Sequence, residues 1–287
     1  MEAIQYARPS TIDDAVRRLG ETGARVLAGG TDLLVQMRGG LTRPRLIVDI
    51  KGIAELRRVE QTPQGFRVGA AVAGAELGEN DAFARQWPGV VEAFQLIGST
   101  QVQGRASLGG NLCNASPAAD SVPALIAAGA RCSIAGPKGR REAAVEDICT
   151  GPGKTSLSAG EFITDFFFAT PPAHTGDAYL RFIPRTEMDI AVVGAAVCLT
   201  LDAKGRCTAA RVGLGAVAPR ALLVPAAAAA LIGTPVDDDA LAKLAAAASA
   251  ACQPIDDKRG TIEFRTRVAG VLARRAAVAA LARARGQ

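Results

Sequence analysis

The chain has 287 residues, of which 49% are apolar, 21% charged and 4% aromatic, and its formal net charge is +5. This size allows a core that needs neither a disulfide nor a metal to be stable. The only histidine, His174, excludes hydrolytic triads and histidine-rich metal sites. Six cysteines without a C-x-x-C pair or a cluster predict reduced thiols in a cytoplasmic protein and no iron–sulfur centre. We find no secretory signal and no apolar run of the ~20 residues that span a bilayer.

The first predicted elements form a small βαβ unit. Residues 10–14 have the pattern of a helix N-cap followed by acidic residues, and they predict a short helix. A strand over 25–28 then leads through Gly29-Gly30 into a second helix, for which Thr31-Asp32 is a suitable cap. The apolar run 46–50 predicts a buried strand that closes the unit.

The rest of the chain changes from mixed elements to strands and then to alanine-rich helices. Thr62-Pro-Gln-Gly65 between two apolar segments is a hairpin signal, and helical patterns cover 83–97 and 117–128. Later strands are predicted at 162–169, 178–183, 191–201 and 208–214, and later helices at 221–232, 239–252 and 261–285.

Two glycine-rich turns are the candidate sites for chemistry. One is 27–34, which contains Gly29-Gly30, and the other is 107–120, which contains Gly109-Gly110. Adjacent glycines let successive backbone N–H groups point toward one place, and a helix that follows adds its positive end. Each turn can therefore hold a phosphate, and two such turns suit a diphosphate. The alternative is that the glycines only allow tight packing at a strand–helix corner.

Other sequence features point away from nucleotide and nucleic-acid motifs. The segment 151–155 contains Gly-Lys-Thr, but a P-loop needs a glycine where Ile148 stands. The segment 213–218 fits a dinucleotide fingerprint, but Pro219 follows where a helix should begin, so we interpret it as a strand end. The C-terminal residues 258–287 hold eight cations and one acid, and their apolar side favours a docking face or a solvated face over nucleic-acid binding.

Five motifs together resemble one family. They are Ala28-Gly-Gly-Thr-Asp-Leu-Leu34, Ser107-Leu-Gly-Gly-Asn-Leu-Cys-Asn-Ala-Ser-Pro-Ala-Ala-Asp120, Gly151-Pro-Gly-Lys-Thr155, Gly160-Glu-Phe-Ile163 and Arg185-Thr-Glu-Met-Asp-Ile-Ala191. In order and spacing they are similar to the FAD-binding medium subunits of molybdenum hydroxylases, the xanthine dehydrogenase and carbon monoxide dehydrogenase family. The resemblance covers essentially the whole chain. It implies an α+β protein with a two-subdomain FAD-binding fold of the vanillyl-alcohol-oxidase (PCMH) type in 1–57 and 58–172, followed by a C-terminal domain of antiparallel strands and helices in 173–287.

The resemblance also implies which residues meet FAD. The backbone of the two turns would hold the diphosphate and nearby sugar atoms, Asp120 would make a polar contact, and Ile163 would lie against the flavin ring. Gly98 would also approach the cofactor, and Arg181 would replace a family lysine with the same charge but another geometry. The full set is Leu27, Ala28, Gly29, Gly30, Thr31, Asp32, Leu33, Leu34, Gly98, Ser107, Leu108, Gly109, Gly110, Asn111, Asp120, Ile163 and Arg181. No catalytic or metal-binding residue is implied in this chain.

The function implied by the resemblance is electron transfer inside a larger complex. A large molybdopterin-binding partner would oxidise the substrate, a small [2Fe–2S] partner would relay electrons, and FAD on this chain would pass them to a final acceptor. The assembly would be a dimer of heterotrimers without nucleic acid or a transmembrane segment. Gly-Gly-Thr-Asp at 29–32, in place of the Gly-Gly-His-Ser associated with carbon monoxide dehydrogenases, favours a xanthine-dehydrogenase-like enzyme. The alternatives are a carbon monoxide dehydrogenase medium subunit, a non-catalytic nucleotide- or anion-binding module and a free-standing flavin oxidase.

Overall fold

A computed structural model describes residues 3–186 and 188–286 of the chain. Its first sheet consists of three parallel strands in the order β1-β3-β2. The elements of this region are β1 (Gln5–Ala7), α1 (Ile12–Leu19), β2 (Ala24–Leu27), α2 (Leu33–Arg38) and β3 (Leu46–Asp49). The predicted βαβ unit is confirmed, because β2 and β3 pair in parallel and α2 connects them. The predicted helix after Pro9 is α1, and the Thr11 hydroxyl caps it by accepting a hydrogen bond from the N–H of Asp14.

The second region is built on a five-stranded antiparallel sheet in the order β4-β5-β10-β6-β7, with a separate two-stranded hairpin, β8-β9. Its strands are β4 (Val59–Thr62), β5 (Gly65–Gly69), β6 (Arg131–Gly136), β7 (Gly139–Ala144), β8 (Cys149–Gly151), β9 (Lys154–Thr155) and β10 (Phe162–Ala169). Its helices are α3 (Gly74–Gly78), α4 (Asp81–Gln86), α5 (Pro88–Gln95), α6 (Thr100–Gln103), α7 (Leu108–Cys113) and α8 (Ser121–Ala127).

Comparison with the predicted elements shows agreement at the hairpin and differences at the helices. The hairpin signal at 62–65 lies between β4 and β5, as predicted. The predicted helix 83–97 is two helices, because Trp87 has a non-helical backbone and Pro88 begins α5. The predicted helix 117–128 begins only at Ser121. The β6-β7 hairpin has no counterpart in the prediction, since β7 is largely exposed and lacks an apolar alternation.

The third region is a four-stranded antiparallel sheet, in the order β11-β12-β13-β14, covered by helices. The elements are β11 (Thr175–Phe182), β12 (Val193–Leu201), β13 (Cys207–Gly215), β14 (Leu222–Leu223), α9 (Pro225–Ala229), α10 (Asp238–Ala250) and α11 (Ile262–Ala284). The long helix α11 packs on β11 and β12 through fully buried alanines. The predicted helix 221–232 is wrong in its first part, because Leu222 and Leu223 pair with β13 and the helix begins at Pro225.

Two sequence interpretations are confirmed by where the segments lie. Residues 151–155 belong to the β8-β9 hairpin, which is not the strand–loop–helix setting of a P-loop. The glycines at 213 and 215 are the end of β13, as expected for a strand end. His174 is exposed in a turn. Within the described ranges, no helix combines the length and the apolar character that crossing a membrane requires.

A half-buried ion pair joins the third region to the second. Arg283 of α11 forms an ion pair with Glu92 of α5 and donates a hydrogen bond to the carbonyl oxygen of Asp177 at 2.6 Å. Arg265, also on α11, acts within the third region: it is 4% exposed and donates to the carbonyl oxygen of Val192 at 2.9 Å. Part of the basic C-terminal segment therefore holds the protein's own regions together, whereas Arg275 stays exposed on the outer side of α11.

Candidate functional site

A cleft of about 830 Å³ lies where the first and second regions meet. This volume is within the range of roughly 300–1,000 Å³ that is usual for small-molecule sites. The cleft brings the two glycine turns together, although they are far apart in the sequence. Most of the residues predicted to meet FAD line it, namely Ala28, Gly29, Gly30, Thr31, Asp32, Leu33, Ser107, Gly109, Gly110, Asn111 and Ile163.

The first turn presents a row of free donors to the cleft. Among the described residues, the backbone N–H groups of Gly29, Gly30, Thr31 and Asp32 donate no hydrogen bond. All four residues line the cleft. Because buried or half-buried N–H groups normally find an acceptor, this row indicates an acceptor that binds from outside the chain. Consecutive N–H groups of this kind form the concave sites that hold phosphates and other anions.

Three contacts from different parts of the chain fix this turn. Lys51 Nζ donates a hydrogen bond to the carbonyl oxygen of Ala28 at 2.8 Å. Asn114 Nδ2 donates to Asp32 Oδ1 at 3.0 Å, and the Asn114 amide oxygen accepts from Gln36 Nε2 at 2.8 Å. Burial raises the pKa of Asp32. On its other side the turn lies against the backbone of Arg105, which can come this close because Gly29 has no Cβ. The turn is therefore a rigid loop, held from the sheet, from α2 and from α7.

The glycines of the two pairs are required for different reasons. A Cβ on Gly29 would lie 1.8 Å from the Arg105 carbonyl oxygen, and one on Gly109 would lie 2.7 Å from the Ala70 carbonyl oxygen. Gly30 has φ +81°, a conformation that side chains with a Cβ rarely adopt. At Gly110 a Cβ would have only the Ser107 hydroxyl within 4 Å, at 3.3 Å. The packing alternative therefore accounts for Gly29 and Gly109, and it does not account for Gly110.

Gly109 and Gly110 lie inside the first turn of α7, which differs from the predicted turn before a helix. Ser107 is the N-cap, and its hydroxyl accepts a hydrogen bond from the N–H of Gly110 at 3.1 Å. The Asn111 amide oxygen accepts from the hydroxyl of Ser121 at 2.7 Å, which joins α7 to α8. The N–H of Gly110, a predicted donor to the cofactor, is thus already used within the chain. The second turn therefore offers fewer free N–H groups than the first.

An apolar wall also lines the cleft. It consists of Ile50, Ala70, Ile97, Phe162 and Ile163. Ile163 is 3% exposed, and the β10 strand changes register against β6 between it and Asp165. An apolar wall beside a row of anion-binding donors suits a ligand with a flat ring at one end and a phosphate group elsewhere.

The remaining predicted residues do not line the cleft. Leu27, Leu34, Gly98 and Leu108 are adjacent to lining residues in the sequence, and the neighbour of Gly98 in the wall is Ile97. Asp120 and Arg181 lie apart from the cleft lining and bind each other. Their predicted contact with a cofactor stays a prediction.

Asp120 is the centre of a buried cluster between the second and third regions. Its Oδ1 accepts a hydrogen bond from the Tyr179 hydroxyl at 2.9 Å, and its Oδ2 accepts from Arg181 Nη1 at 2.9 Å. Burial raises the pKa of Asp120 to about 6, although Arg181 and Tyr179 act in the opposite direction. Both carboxylate oxygens thus have partners from β11, so Asp120 joins α8 to the C-terminal sheet.

Sequence reasoning missed the residues that hold the first turn. Lys51, Asp49 and Asn114 make the contacts described above, and none was singled out as a site residue. Asn114 lies inside the Ser107–Asp120 motif, so its amide was the available signal. Lys51 follows the end of a predicted strand, where the carboxyl end of a parallel sheet places polar side chains near a ligand.

Comparison with known proteins finds matches over most of the chain. Residues 2–170 match the family described as "FAD binding domain in molybdopterin dehydrogenase", and residues 178–280 match "CO dehydrogenase flavoprotein C-terminal domain". The carbon monoxide dehydrogenase medium chain of Afipia carboxidovorans is 35% identical over 99% of this chain and 98% of its own length. The xanthine dehydrogenase FAD-binding subunit of Escherichia coli O157:H7 is 36% identical over 75% of this chain and 74% of its own.

A solved structure confirms the predicted fold class. A chain in the structure of reconstituted carbon monoxide dehydrogenase from Oligotropha carboxidovorans superposes with a TM-score of 0.94 and 35% identity, and 98% of each chain is covered. The likeness thus extends over both matched domains and the connection between them.

Proposed function

Because the chain belongs to the family of FAD-binding subunits of molybdenum hydroxylases, we propose that it holds FAD in the cleft between its first and second regions. The chain is a subunit of an oxidoreductase, and its role in this proposal is electron transfer. Electrons would come from the [2Fe–2S] clusters of a small partner subunit, after a large molybdopterin-binding partner has oxidised the substrate. They would leave through the cofactor to a final acceptor.

The observation that carries the proposal is the row of free N–H groups from Gly29 to Asp32 at the wall of the cleft. A diphosphate supplies the negative charge and the acceptor atoms that these N–H groups do not find within the chain. Gly110 supports the same conclusion. A glycine inside a helix costs about 1 kcal/mol relative to alanine. Within the chain a Cβ there would meet only the Ser107 hydroxyl, at 3.3 Å, and no backbone atom, so a ligand that passes close to the backbone explains the glycine.

The division of labour follows from the residues on each side of the cleft. The loop 28–32 would bind the diphosphate, and Ser107, Gly110 and Asn111 on α7 would face it from the second region. The wall around Ile163 would exclude water from one side of the ring. When bound, FAD supplies the redox chemistry, because it accepts electrons singly and passes them on in pairs. The protein's part is to bind and orient it.

The substrate class is the finer part of this proposal. The Gly-Gly-Thr-Asp loop at 29–32 favours a xanthine-dehydrogenase-like complex over a carbon monoxide dehydrogenase. Identity to the compared relatives of both kinds is similar, 35% and 36%. The substrate class has to be measured on the assembled complex, a proposed dimer of heterotrimers, because the substrate would bind to another polypeptide. Turnover of xanthine without turnover of carbon monoxide would support the proposed class, and the reverse would overturn it.

Flavin content and turnover of the purified chain test the proposed role. We expect a yellow protein with one FAD per chain that does not oxidise purines, aldehydes, aromatic heterocycles or carbon monoxide alone. Adding the two partner subunits should restore substrate-dependent reduction of the flavin. A folded, colourless chain that cannot take up FAD would favour the binding-module alternative, and turnover by the isolated chain would favour a free-standing oxidase. Either result would overturn the proposal.

A further inference from the structure

The ammonium group of Lys51 joins the first glycine turn to the neighbouring strand. Its Nζ donates hydrogen bonds to the carbonyl oxygen of Ala28 at 2.8 Å and to Oδ1 of Asp49 at 2.7 Å. Ala28 directly follows β2, and Asp49 is the last residue of β3, the parallel neighbour of β2. Since the carboxyl ends of parallel strands lie at the same edge of a sheet, one cation can reach both groups.

Asp49 fixes the position of this ammonium group. Its side chain is buried and also accepts a hydrogen bond from the Tyr6 hydroxyl at 2.6 Å and one from the backbone N–H of Lys51 at 3.0 Å. Burial raises the pKa of Asp49, but the hydrogen bonds from Lys51 and Tyr6 outweigh burial and leave this pKa below its ordinary value. The carboxylate is therefore charged at neutral pH, and it anchors Lys51 to the sheet.

We propose that Lys51 is a positioning residue that aims the N–H groups of the first glycine turn into the cleft. A peptide unit is planar and trans, so the carbonyl of Ala28 and the N–H of Gly29 belong to one rigid group and point in opposite directions. Holding the carbonyl oxygen at Lys51 thus directs the Gly29 N–H away from Lys51. The N–H groups of Gly30, Thr31 and Asp32 follow on the same short loop.

Lys51 acts through the loop and not by contact with a ligand. It is absent from the residues that line the cleft in the described parts of the chain, whereas Ala28 and Gly29 are present. Its charge is also balanced by Asp49 at 2.7 Å, so little of it is left to attract an anion at a distance. The inference rests on the proposed function, because it names the residue that prepares the FAD-binding loop.

The test compares FAD binding by full-length variants freed of flavin. Lys51→Met removes both donated hydrogen bonds, and Lys51→Arg keeps a charged donor. Lys243→Met is the control, because Lys243 also pairs with an aspartate, Asp239 at 2.6 Å, but lies on α10 outside the cleft lining. The dissociation constant for FAD is measured by flavin fluorescence at low and high salt, and folding is checked by circular dichroism.

We expect Lys51→Met to raise the dissociation constant by about tenfold or more, since a hydrogen bond from a charged group contributes about 1.5–3 kcal/mol. Lys51→Arg should restore most of the affinity, and Lys243→Met should bind like the wild type. The ratio between Lys51→Met and the wild type should persist at high salt, because positioning is not screened. If Lys51→Met does not fold, Lys51→Gln replaces it in the test. The glutamine side chain is polar, but its amide nitrogen lies one bond short of the position of the lysine Nζ.

Two results would overturn the positioning role. One is an unchanged dissociation constant in folded Lys51→Met or Lys51→Gln. The other is a ratio that disappears at high salt, which would mean that Lys51 attracts the diphosphate directly. In both cases wild-type binding of FAD leaves the proposed function standing. Failure of the wild-type chain itself to bind FAD would instead overturn the proposed function.

Discussion

Replacing Gly29 by alanine tests whether the packing of the chain itself requires this glycine. Replacing Gly110 tests a glycine that we expect a ligand to require. The new Cβ would lie 1.8 Å from the carbonyl oxygen of Arg105 and 2.5 Å from its carbonyl carbon. Both are backbone atoms, so no side-chain rotation relieves the overlap. The loop must move by more than about 1 Å, and overpacking of this kind costs about 1–3 kcal/mol.

The same displacement would move the free N–H groups of the loop away from the proposed position of the diphosphate. Loss of one hydrogen bond to a charged phosphate costs about 1.5–3 kcal/mol, which corresponds to a dissociation constant for FAD about tenfold to a hundredfold higher. We therefore expect Gly29→Ala to lower both the thermal midpoint of the apoprotein and its affinity for FAD. Circular dichroism measures the first quantity, and flavin fluorescence titration measures the second.

Gly110→Ala should behave differently. Its Cβ would have only the Ser107 hydroxyl within 4 Å, and alanine favours the helix by up to about 1 kcal/mol. The apoprotein should thus be as stable as the wild type, while the methyl group at the cleft wall weakens FAD binding. Gly78→Ala in α3 is the control, because a Cβ there meets only ordinary contacts, at 3.6 Å or more, outside the cleft lining. Wild-type FAD affinity in both Gly29→Ala and Gly110→Ala would refute the assignment of the two turns.

Three further predictions concern the contacts between the second and third regions. Burial raises the pKa of Asp177 to about 7. The stability that this group contributes below about pH 4 should therefore be lost as the pH rises through about 7. Asp177→Asn should flatten this dependence of the thermal midpoint, and an unchanged slope would contradict it. Arg283→Glu should lower the midpoint because Arg283 pairs with Glu92, whereas Arg275→Glu should leave it unchanged and weaken subunit assembly in a salt-sensitive way. If Arg275→Glu leaves subunit assembly unchanged, this part of α11 is a solvated face and not a docking face. Arg181→Met should cost about 3–5 kcal/mol, because it leaves the buried Asp120 carboxylate without its cationic partner, and a weaker affinity for FAD in the folded variant would favour the predicted cofactor contact of Arg181.

Local patterns in the sequence predicted the elements whose causes are local. The helix after Pro9, the hairpin at 62–65 and the strand at 162–169 were all predictable, because caps, turn residues and apolar runs act over a few residues. The two glycine turns were found for the same reason, and their family resemblance pointed to the fold. The errors occur where a distant partner decides the structure, as at Leu222 and Leu223, which pair with β13 instead of continuing a helix.

The sequence by itself thus determined that two glycine turns, an apolar residue at 163 and an α+β framework are present, and by resemblance that FAD is the ligand. Only the tertiary structure distinguished a glycine that the chain's own packing requires from one that it does not, because Gly29 and Gly110 look alike in a sequence and differ in the backbone that approaches them. It also placed Asp120 and Arg181 in a cluster of their own and brought Lys51 to the carbonyl of Ala28. These contacts join residues far apart in the chain, and no pattern of neighbouring residues encodes the distance between them.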